Sequence, residues 1–225
     1  MIAKPFYKSL VLTFFISIFS VNMFSQVIEN EILVKLDKTL KFYDYRATNA
    51  VEIGLGTSVM NGDLSEPLFE ISSRIGYKHF ILPHLNVNFS YNKFNLAYKD
   101  VYNEGFMSFD LNVEGLLTPY NKFSPFIYAG GGYNAANYFE QTATKVQGGI
   151  GVEYIVTDKV GLKLFSDYNY VFSDELDGVI FGETDDTYWR ILVGVNFYFG
   201  GEKKRENLLN GHPTIINSNP IIPDN

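Results

Sequence analysis

The segment TYWRILVGVNFYF, residues Thr187 to Phe199, alternates in polarity along its whole length. In an extended chain, successive side chains point to opposite faces, so every second residue shares a face. One face carries the large apolar residues Trp189, Ile191, Val193, Val195, Phe197 and Phe199, and the other carries Arg190, Gly194 and Asn196. An apolar face that ends in aromatic residues is typical of a transmembrane β-barrel strand, because one side of such a strand contacts lipid.

The same alternation recurs in seven more segments between Asn49 and Gly200, and each segment is long enough to cross a bilayer at a tilt. The eight predicted strands are residues 50–60, 68–80, 85–98, 105–118, 124–135, 144–156, 160–172 and 187–199. The pattern predicts an all-β fold, an eight-stranded antiparallel up-and-down transmembrane β-barrel formed by residues 49–200. Eight strands make the smallest common barrel of this kind.

The connections between these segments alternate in length. Residues 81–84, 118–123 and 157–159 are tight turns, whereas residues 61–67, 99–104, 136–143 and 173–186 are mostly longer and more polar. Outer-membrane barrels have short periplasmic turns and longer outer loops, and an even number of strands returns both termini to the periplasm. The spacing therefore predicts which connections face the periplasm.

The polar face separates a membrane barrel from a soluble one. A soluble lipocalin-like barrel has the same alternation turned inside out, with a charged exterior. Here the polar face is mostly Gly, Ser and Asn with occasional charges, which favours the membrane barrel. Its interior would then contain Glu52, Glu70, Arg74, Lys78, Asp110, Glu114, Glu153, Lys163, Asp167 and Arg190. We predict a salt-bridge network there, since desolvated charges must be paired; an ion path or proton relay is the functional alternative.

Aromatic residues are frequent near the predicted strand ends, where a membrane barrel needs interfacial girdles. The residues assigned to these girdles are Tyr77, Phe80, Tyr98, Phe123, Phe126, Tyr133, Tyr154, Phe172, Tyr188, Phe197 and Phe199.

Two places interrupt the alternation. Near Asn92-Lys93 the apolar phase changes, which indicates a β-bulge or the emergence of the strand above the membrane. Residues 129–132 (AGGG) indicate a close approach of interior side chains to the backbone.

The chain begins with features of a secretory signal peptide, predicted at residues 1–25. Lys4 and Lys8 precede an apolar run from Leu10 to Phe24, and Ser25-Gln26 is a plausible cleavage point. A single-pass anchor is the competing interpretation, but the run is short and contains polar residues, which favours cleavage. Without the two lysines the net charge changes from −7 to about −9, and a negative charge disfavours a nucleic-acid partner.

The segments on either side of the barrel are predicted to be periplasmic. Residues 26–48 form a lead-in with a possible short helix over Asn30 to Phe42, or an irregular segment. Residues 201–225 form a flexible tail whose end, PTIINSNPIIP, cannot bury a core by itself.

Chemistry-bearing motifs are few. The chain contains no cysteine, which removes disulfides, thiolate metal sites, cysteine nucleophiles and lipidation on cysteine. His79, His84 and His212 have no serine and carboxylate at a recognisable spacing. The loop of residues 173–186 is acidic and could hold Ca²⁺, although an ordinary solvated loop is favoured because no fixed ligand spacing is present. We expect no enzyme activity, no cofactor and no metal site.

Five stretches carry a family resemblance: YDYRATNAVEIGLG (43–56), NEGFMSFDLNVEG (103–115), PFIYAGGGYNA (125–135), VTDKVGLKLFSDYNYVFSDELDG (156–178) and NPIIP (219–223). The barrel as a whole resembles small outer-membrane proteins of the OmpA/OmpX type. More narrowly, these stretches look like a barrel region associated with curli-assembly CsgG-type proteins of Gram-negative bacteria. The chain departs from the curli-secretion family because it has no cysteine to lipidate and no room for the periplasmic secretion domain. The resemblance therefore implies an accessory role rather than a secretion pore.

These observations lead to three hypotheses of function. The first is a non-enzymatic outer-membrane barrel with a structural or interaction role, and the second is an accessory subunit of a curli-like or other secretion or surface-fibre system. The third, a lipid-modifying enzyme, is disfavoured because the predicted outer loops contain no histidine. Expected partners are outer-membrane lipid, a periplasmic or secretion-system protein, and the insertion machinery. The spacing of Gly194, Phe197 and Phe199 resembles the C-terminal signal that the insertion machinery reads.

Overall fold

The structure is a computed structural model, and it describes residues 28–61, 66–100, 102–139, 142–173 and 186–210. Eight long strands occur within these ranges: β1 Asn49–Asn61, β2 Glu70–Leu82, β3 Leu85–Tyr98, β4 Tyr102–Leu116, β5 Phe123–Ala136, β6 Thr142–Thr157, β7 Val160–Val171 and β8 Thr187–Phe199. Helix α1 spans Ile28–Tyr45 and helix α2 spans Glu202–Asn210. A two-residue strand, Pro67–Leu68, pairs with β3, and Asn137–Phe139 forms one 3₁₀ turn.

The eight strands form a closed antiparallel barrel. Each strand pairs with the next one along the chain, and β8 pairs with β1 from Asn49 opposite Phe199 to Asn61 opposite Thr187. Closure pairs the two outermost strands with each other, so no sheet edge is left open. The predicted all-β, up-and-down architecture is therefore confirmed. We call the end with the β2–β3, β4–β5 and β6–β7 turns the turn end, and the other the loop end.

The outer wall is apolar and the inner wall is polar, as the alternation predicted. On β8, Trp189 is 45% exposed and faces outward, whereas its neighbour Arg190 is fully buried inside the barrel. Leu55 on β1 and Ile150 on β6 are 63% and 67% exposed on the same outer wall. A soluble protein does not bury its charges while it exposes its large aliphatic residues. The barrel surface is therefore built to contact lipid.

The aromatic residues fall into two groups. Seven of those assigned to the girdles are exposed by 41% to 53%: Tyr77, Phe123, Tyr133, Tyr154, Phe172, Phe197 and Phe199. The assignment is wrong for the other four, Phe80, Tyr98, Phe126 and Tyr188, which are at most 4% exposed and point into the barrel. The reason is that both ends of the interior are filled by apolar layers, so a strand end carries aromatics on both faces.

The change of phase in β3 has a different cause from a bulge. The ladder between β3 and β4 is continuous from Leu85 opposite Gly115 to Tyr98 opposite Tyr102. Phe94 and Leu96 are buried inside, while the outward face becomes polar at Lys93. Of the two alternatives predicted near Asn92-Lys93, the bulge is therefore wrong, and emergence of the strand from the membrane remains. The strand keeps its phase and the polarity of its two faces is exchanged, as expected where it leaves the hydrocarbon.

Glycines in β5 and β6 allow interior side chains to lie against the backbone. A Cβ atom on Gly132 would lie 2.5 Å from Asp110 Oδ1 and 2.9 Å from Lys145 Cε. A Cβ atom on Gly151 would lie 2.5 Å from Phe126 Cζ and 2.6 Å from Leu164 O. The expected close approach around residues 129–132 is thus observed, and it extends to the neighbouring strand.

Replacing Gly151 by alanine is expected to lower the free energy of unfolding by about 1–3 kcal/mol, because the new methyl group overlaps backbone that cannot retreat. Gly148→Ala is the matched control on the same strand, since its Cβ atom would lie 3.7 Å from the nearest atom, Tyr128 O. Urea unfolding of both variants in lipid vesicles measures the difference. Equal losses in the two variants would contradict the packing argument.

The segments outside the barrel are partly helical. The chain divides into two compact units, residues 1–35 and 36–225, so only residues 36–45 of α1 belong to the barrel unit. Helix α2 begins where a flexible tail was predicted. Gly200 and Gly201 adopt positive φ angles that turn the chain, and Glu202 lies in the first turn of α2, where a negative charge is favourable. The predicted signal peptide, residues 1–25, and residues 211–225 lie outside the described ranges.

Within the described ranges, none of the helices combines the length and the apolar character that crossing a membrane requires.

Candidate functional site: the filled interior and the closed turn end

Two lysines and two glutamates alternate at the centre of the barrel. Lys163 Nζ lies 2.7 Å from Glu52 Oε2 and 3.2 Å from Glu114 Oε2. Lys78 Nζ lies 3.0 Å from Glu52 Oε2 and 2.7 Å from Glu114 Oε1. All four residues are at most 5% exposed. Each ammonium group therefore has two carboxylate partners, which is the geometry that a buried charge requires.

A second cluster surrounds Arg190. Its Nε atom lies 2.8 Å from Asp167 Oδ1, and its Nη2 atom lies 3.0 Å from Asp110 Oδ2. Lys145 Nζ lies 3.0 Å from Asp110 Oδ1 and donates to the hydroxyl of Tyr188 at 2.8 Å. Arg190 thus holds two carboxylates from two different strands.

Arg74 connects the two clusters. Its Nε atom lies 2.8 Å from Glu52 Oε1, and its Nη1 atom lies 3.7 Å from Asp167 Oδ2. The guanidinium carbon also lies 5.3 Å from the centre of the Phe165 ring. Eight of the ten predicted interior charges therefore belong to one continuous network.

The other two predicted residues lie apart from this network. Glu153 is buried near the turn end, where it pairs with Arg46. Glu70 lies at the loop end of β2 and is only half-buried. Its backbone carbonyl accepts a hydrogen bond from Thr57 Oγ1 at 2.9 Å. Among the residues that the structure describes, no cation lies within 4 Å of its carboxylate.

Sequence reasoning missed two members of the interior. Lys145 precedes Gln147 on the inner face of β6, so extending the alternation by one step would have included it. Arg46 lies between α1 and β1, where no periodic pattern indicates which way a side chain points. The structure alone places it in the barrel.

Apolar layers lie on both sides of the charges. Towards the loop end, Phe94 and Tyr188 stack with ring centres 5.0 Å apart and cover the Arg190 guanidinium. This layer consists of Met60, Phe94, Leu96, Tyr98, Phe106, Ala136, Val171 and Tyr188. Towards the turn end, Lys163 Nζ lies 4.2 Å from the centre of the Phe126 ring, within the second layer. That layer includes Phe80, Leu116, Phe126, Tyr128, Ile155, Phe165, Leu192 and Tyr198.

The end of α1 closes the turn end of the barrel. Phe42 is 2% exposed, and its ring centre lies 5.3 Å from that of Phe80. Arg46 is fully buried and donates to Glu153 at 2.9 Å, to Pro119 O at 2.7 Å and to Asn121 O at 2.9 Å. We call residues 42–48 the plug. The plug contacts β2, β6 and the β4–β5 turn, so it packs as part of the barrel core.

Lys159 in the β6–β7 turn holds the plug from outside. Its ammonium group donates to the backbone carbonyls of Tyr43 and Arg46. Burial lowers the pKa of Lys159, while the carboxylates of Asp44 and Glu202 oppose that shift. Lysine donors at the last carbonyls of a helix stabilise its C-terminus.

A pocket of about 250 Å³ lies beside the plug. Its lining comes from the end of α1, the β6–β7 turn and the start of α2: Tyr43, Asp44, Asp158, Lys159, Gly200, Gly201, Glu202 and Arg205. Arg205 crosses from α2 to Asp44 of α1 at 3.1 Å. The three segments therefore form one connected surface at the turn end.

The remaining sequence candidates lie apart from these sites. His79 is exposed on the outer wall, and His84 Nδ1 lies 2.8 Å from Leu116 O in a turn. His212 and residues 174–185 of the acidic loop are outside the described ranges. In the ranges that are described, no three histidine, aspartate or glutamate side chains are grouped as metal ligands.

The barrel is similar to solved outer-membrane structures. The crystal structure of Neisserial surface protein A (NspA) is 18% identical and has a TM-score of 0.58, covering 68% of this chain and 98% of that one. The N-terminal β-barrel domain of OprF from Pseudomonas aeruginosa is 19% identical, with a TM-score of 0.45 and coverages of 68% and 99%. Ail, the attachment invasion locus protein of Yersinia pestis, is 13% identical, with a TM-score of 0.45 and coverages of 68% and 99%.

At this level of identity, the similarity to NspA supports the fold alone. No protein-family model matches the chain, and no curated protein matches it.

Proposed function

We propose that this chain is a non-enzymatic protein of the Gram-negative outer membrane, with a structural or interaction role and no open pore. The observation that carries the proposal is the filled interior. Between the two apolar layers, a network of nine charged residues fills the centre of the barrel, and the plug covers the turn end. Small eight-stranded barrels have interiors that side chains can fill, which suits a role carried by the outside of the barrel.

The interior argues for structural pairing rather than for an ion path. Glu52 is held by Lys78, Lys163 and Arg74 at 3.0 Å or less, and Asp167 is held by Arg190. A mobile ion would have to break these pairs, and uncompensated charges in a desolvated interior are costly. The charges therefore serve the stability of the barrel.

Planar-bilayer recordings test the proposal. Many copies of the full-length protein are reconstituted into the bilayer. We expect no discrete current steps, because side chains fill both ends and the centre of the barrel. An open porin inserted in the same bilayer is the positive control. Reproducible single-channel currents that depend on the protein concentration would contradict the proposal.

A second candidate function is an accessory subunit of a secretion or surface-fibre system, including the curli-like systems that the sequence resembles. The observation that favours it is the connected surface at the turn end. The Arg205–Asp44 pair and the backbone bond from Thr48 N to Gly200 O, at 3.4 Å, tie α2 and α1 to each other and to the barrel. A pre-ordered surface loses less entropy when a protein partner binds.

Co-purification after gentle detergent extraction distinguishes the two candidates. An accessory subunit is expected to come out with a stoichiometric partner, and deletion of residues 201–225 is expected to abolish the association. A barrel with a purely structural role comes out alone with and without the deletion. Thermal unfolding of the truncated protein checks that the barrel is intact.

A further inference from the structure

Three neighbouring strands bring polar side chains together on the outer wall at the turn end. In the ladders, Asn49 of β1 lies opposite His79 of β2 and opposite Phe199 of β8. Tyr77 OH donates to Asn49 Oδ1 at 2.7 Å, and His79 Nδ1 lies 2.8 Å from the same oxygen. We call Asn49, Tyr77, His79 and Phe199 the rim patch.

These hydrogen bonds orient the ring of His79. An amide oxygen only accepts hydrogen bonds, so His79 Nδ1 carries a proton in this arrangement. Nε2, the other nitrogen of this exposed ring, is then a hydrogen-bond acceptor in the neutral imidazole. A ring that is oriented in advance can contact a lipid headgroup without further loss of side-chain freedom.

The rim patch is continuous with the surface that contacts lipid. The Tyr77 and Phe199 ring centres lie 6.4 Å apart, and these residues are 45% and 46% exposed. On the same two strands, Ile75 and Phe197 are the next outward residues towards the middle of the barrel, and they are 52% and 47% exposed. Aromatic residues with a polar tip are favoured where acyl chains meet headgroups.

Two positively charged residues follow this patch closely along the chain. The chain leaves Phe199 through two glycines and enters α2, whose residues Lys203 and Lys204 are exposed. Glu202 and Arg205 line the pocket, so helical geometry places the two lysines on the other side of α2. Flexible stems extend the reach of both ammonium groups towards the headgroup level.

We propose that the rim patch and the two lysines of α2 bind one anionic phospholipid. Lys203 and Lys204 pair with the headgroup phosphate, the imidazole of His79 lies beside the same headgroup, and an acyl chain lies against Tyr77 and Phe199. The occupant is a lipid rather than a free anion because the patch continues directly into the apolar belt. Basic residues beside an interfacial aromatic surface are the usual physical basis of such binding.

Native mass spectrometry of the full-length chain in detergent tests the site, with dioleoylphosphatidylglycerol, dioleoylglycerol and inorganic phosphate added in separate titrations. The wild type is expected to retain one phosphatidylglycerol molecule in preference to dioleoylglycerol. Lys203→Gln combined with Lys204→Gln is expected to weaken that binding by about ten-fold or more, as loss of two charges beside an anionic lipid predicts. His79→Ala is expected to weaken it further.

Lys122→Gln is the matched control, because Lys122 is an exposed lysine beside the lipid-facing Phe123 in the β4–β5 turn, on the opposite side of the barrel. It is expected to leave phosphatidylglycerol binding unchanged. Equal binding by the wild type and the His79, Lys203 and Lys204 variants would overturn the proposal, as would an equal loss in Lys122→Gln. Equal retention of dioleoylglycerol, or full competition by inorganic phosphate, would also overturn it.

Discussion

Arg190→Ala is expected to lower the free energy of unfolding by about 3–5 kcal/mol, because the substitution leaves buried carboxylates without their main partner. Arg190 is fully buried and holds both Asp167 and Asp110. Lys145 at 3.0 Å and Arg74 at 3.7 Å remain near these acids, but neither replaces the paired contacts of the guanidinium with Asp167. Urea unfolding in lipid vesicles measures the loss. The protein has one tryptophan, Trp189, whose outward position makes its emission a probe of contact with lipid.

Two further variants make this result specific to the buried pair. Arg205→Ala removes an arginine from the exposed pair with Asp44, whose side chains are 46% and 49% exposed, and such pairs contribute about 0–1 kcal/mol. Asp167→Ala combined with Arg190→Ala is expected to be less destabilising than the sum of the single losses, since the double variant removes the orphaned carboxylate. A loss below about 1 kcal/mol in Arg190→Ala would show that the network does not stabilise the fold.

Arg46→Ala is expected to release the plug while the barrel stays folded. The substitution removes the cationic partner of Glu153 and the hydrogen bonds to Pro119 O and Asn121 O, at a cost of about 3–5 kcal/mol for a buried pair. Because the plug can open locally, the loss is measured by amide hydrogen exchange at residues 42–46. Protection there is expected to fall by about 100-fold or more, while that of the strands changes little.

Arg46→Lys is the conservative variant and is expected to recover only part of the protection, since one ammonium group cannot reproduce the planar fork of donors. Lys41→Ala on α1 is the matched control, because Lys41 pairs with the exposed Asp37 at 2.8 Å and is itself exposed. Arg46→Ala is expected to remain non-conducting in planar bilayers, because the charge network still fills the centre. Unchanged exchange at residues 42–46 would contradict the role assigned to Arg46.

Individual residues show why some features could be predicted from the sequence and others could not. The outward direction of the Trp189 side chain and the inward direction of Arg190 follow from the two-residue period of a strand. This period is a local property of any strand. The inward aromatics Phe126 and Tyr188 were misassigned because polarity marks a face only where one side is lipid and the other is polar. At the barrel ends both faces are apolar, so the sequence pattern carries no information about direction there.

The sequence by itself determined the number of strands, their order, the inner and outer faces, and most residues of the interior. These follow from short-range alternation and from the length of the connections. Only the tertiary structure decided the partners: Arg74 between Glu52 and Asp167, Lys163 between Glu52 and Glu114, and Arg46 with Glu153. Pairing across the lumen depends on the register in which the strands close and on the path of the plug. Both are long-range properties that no local pattern encodes.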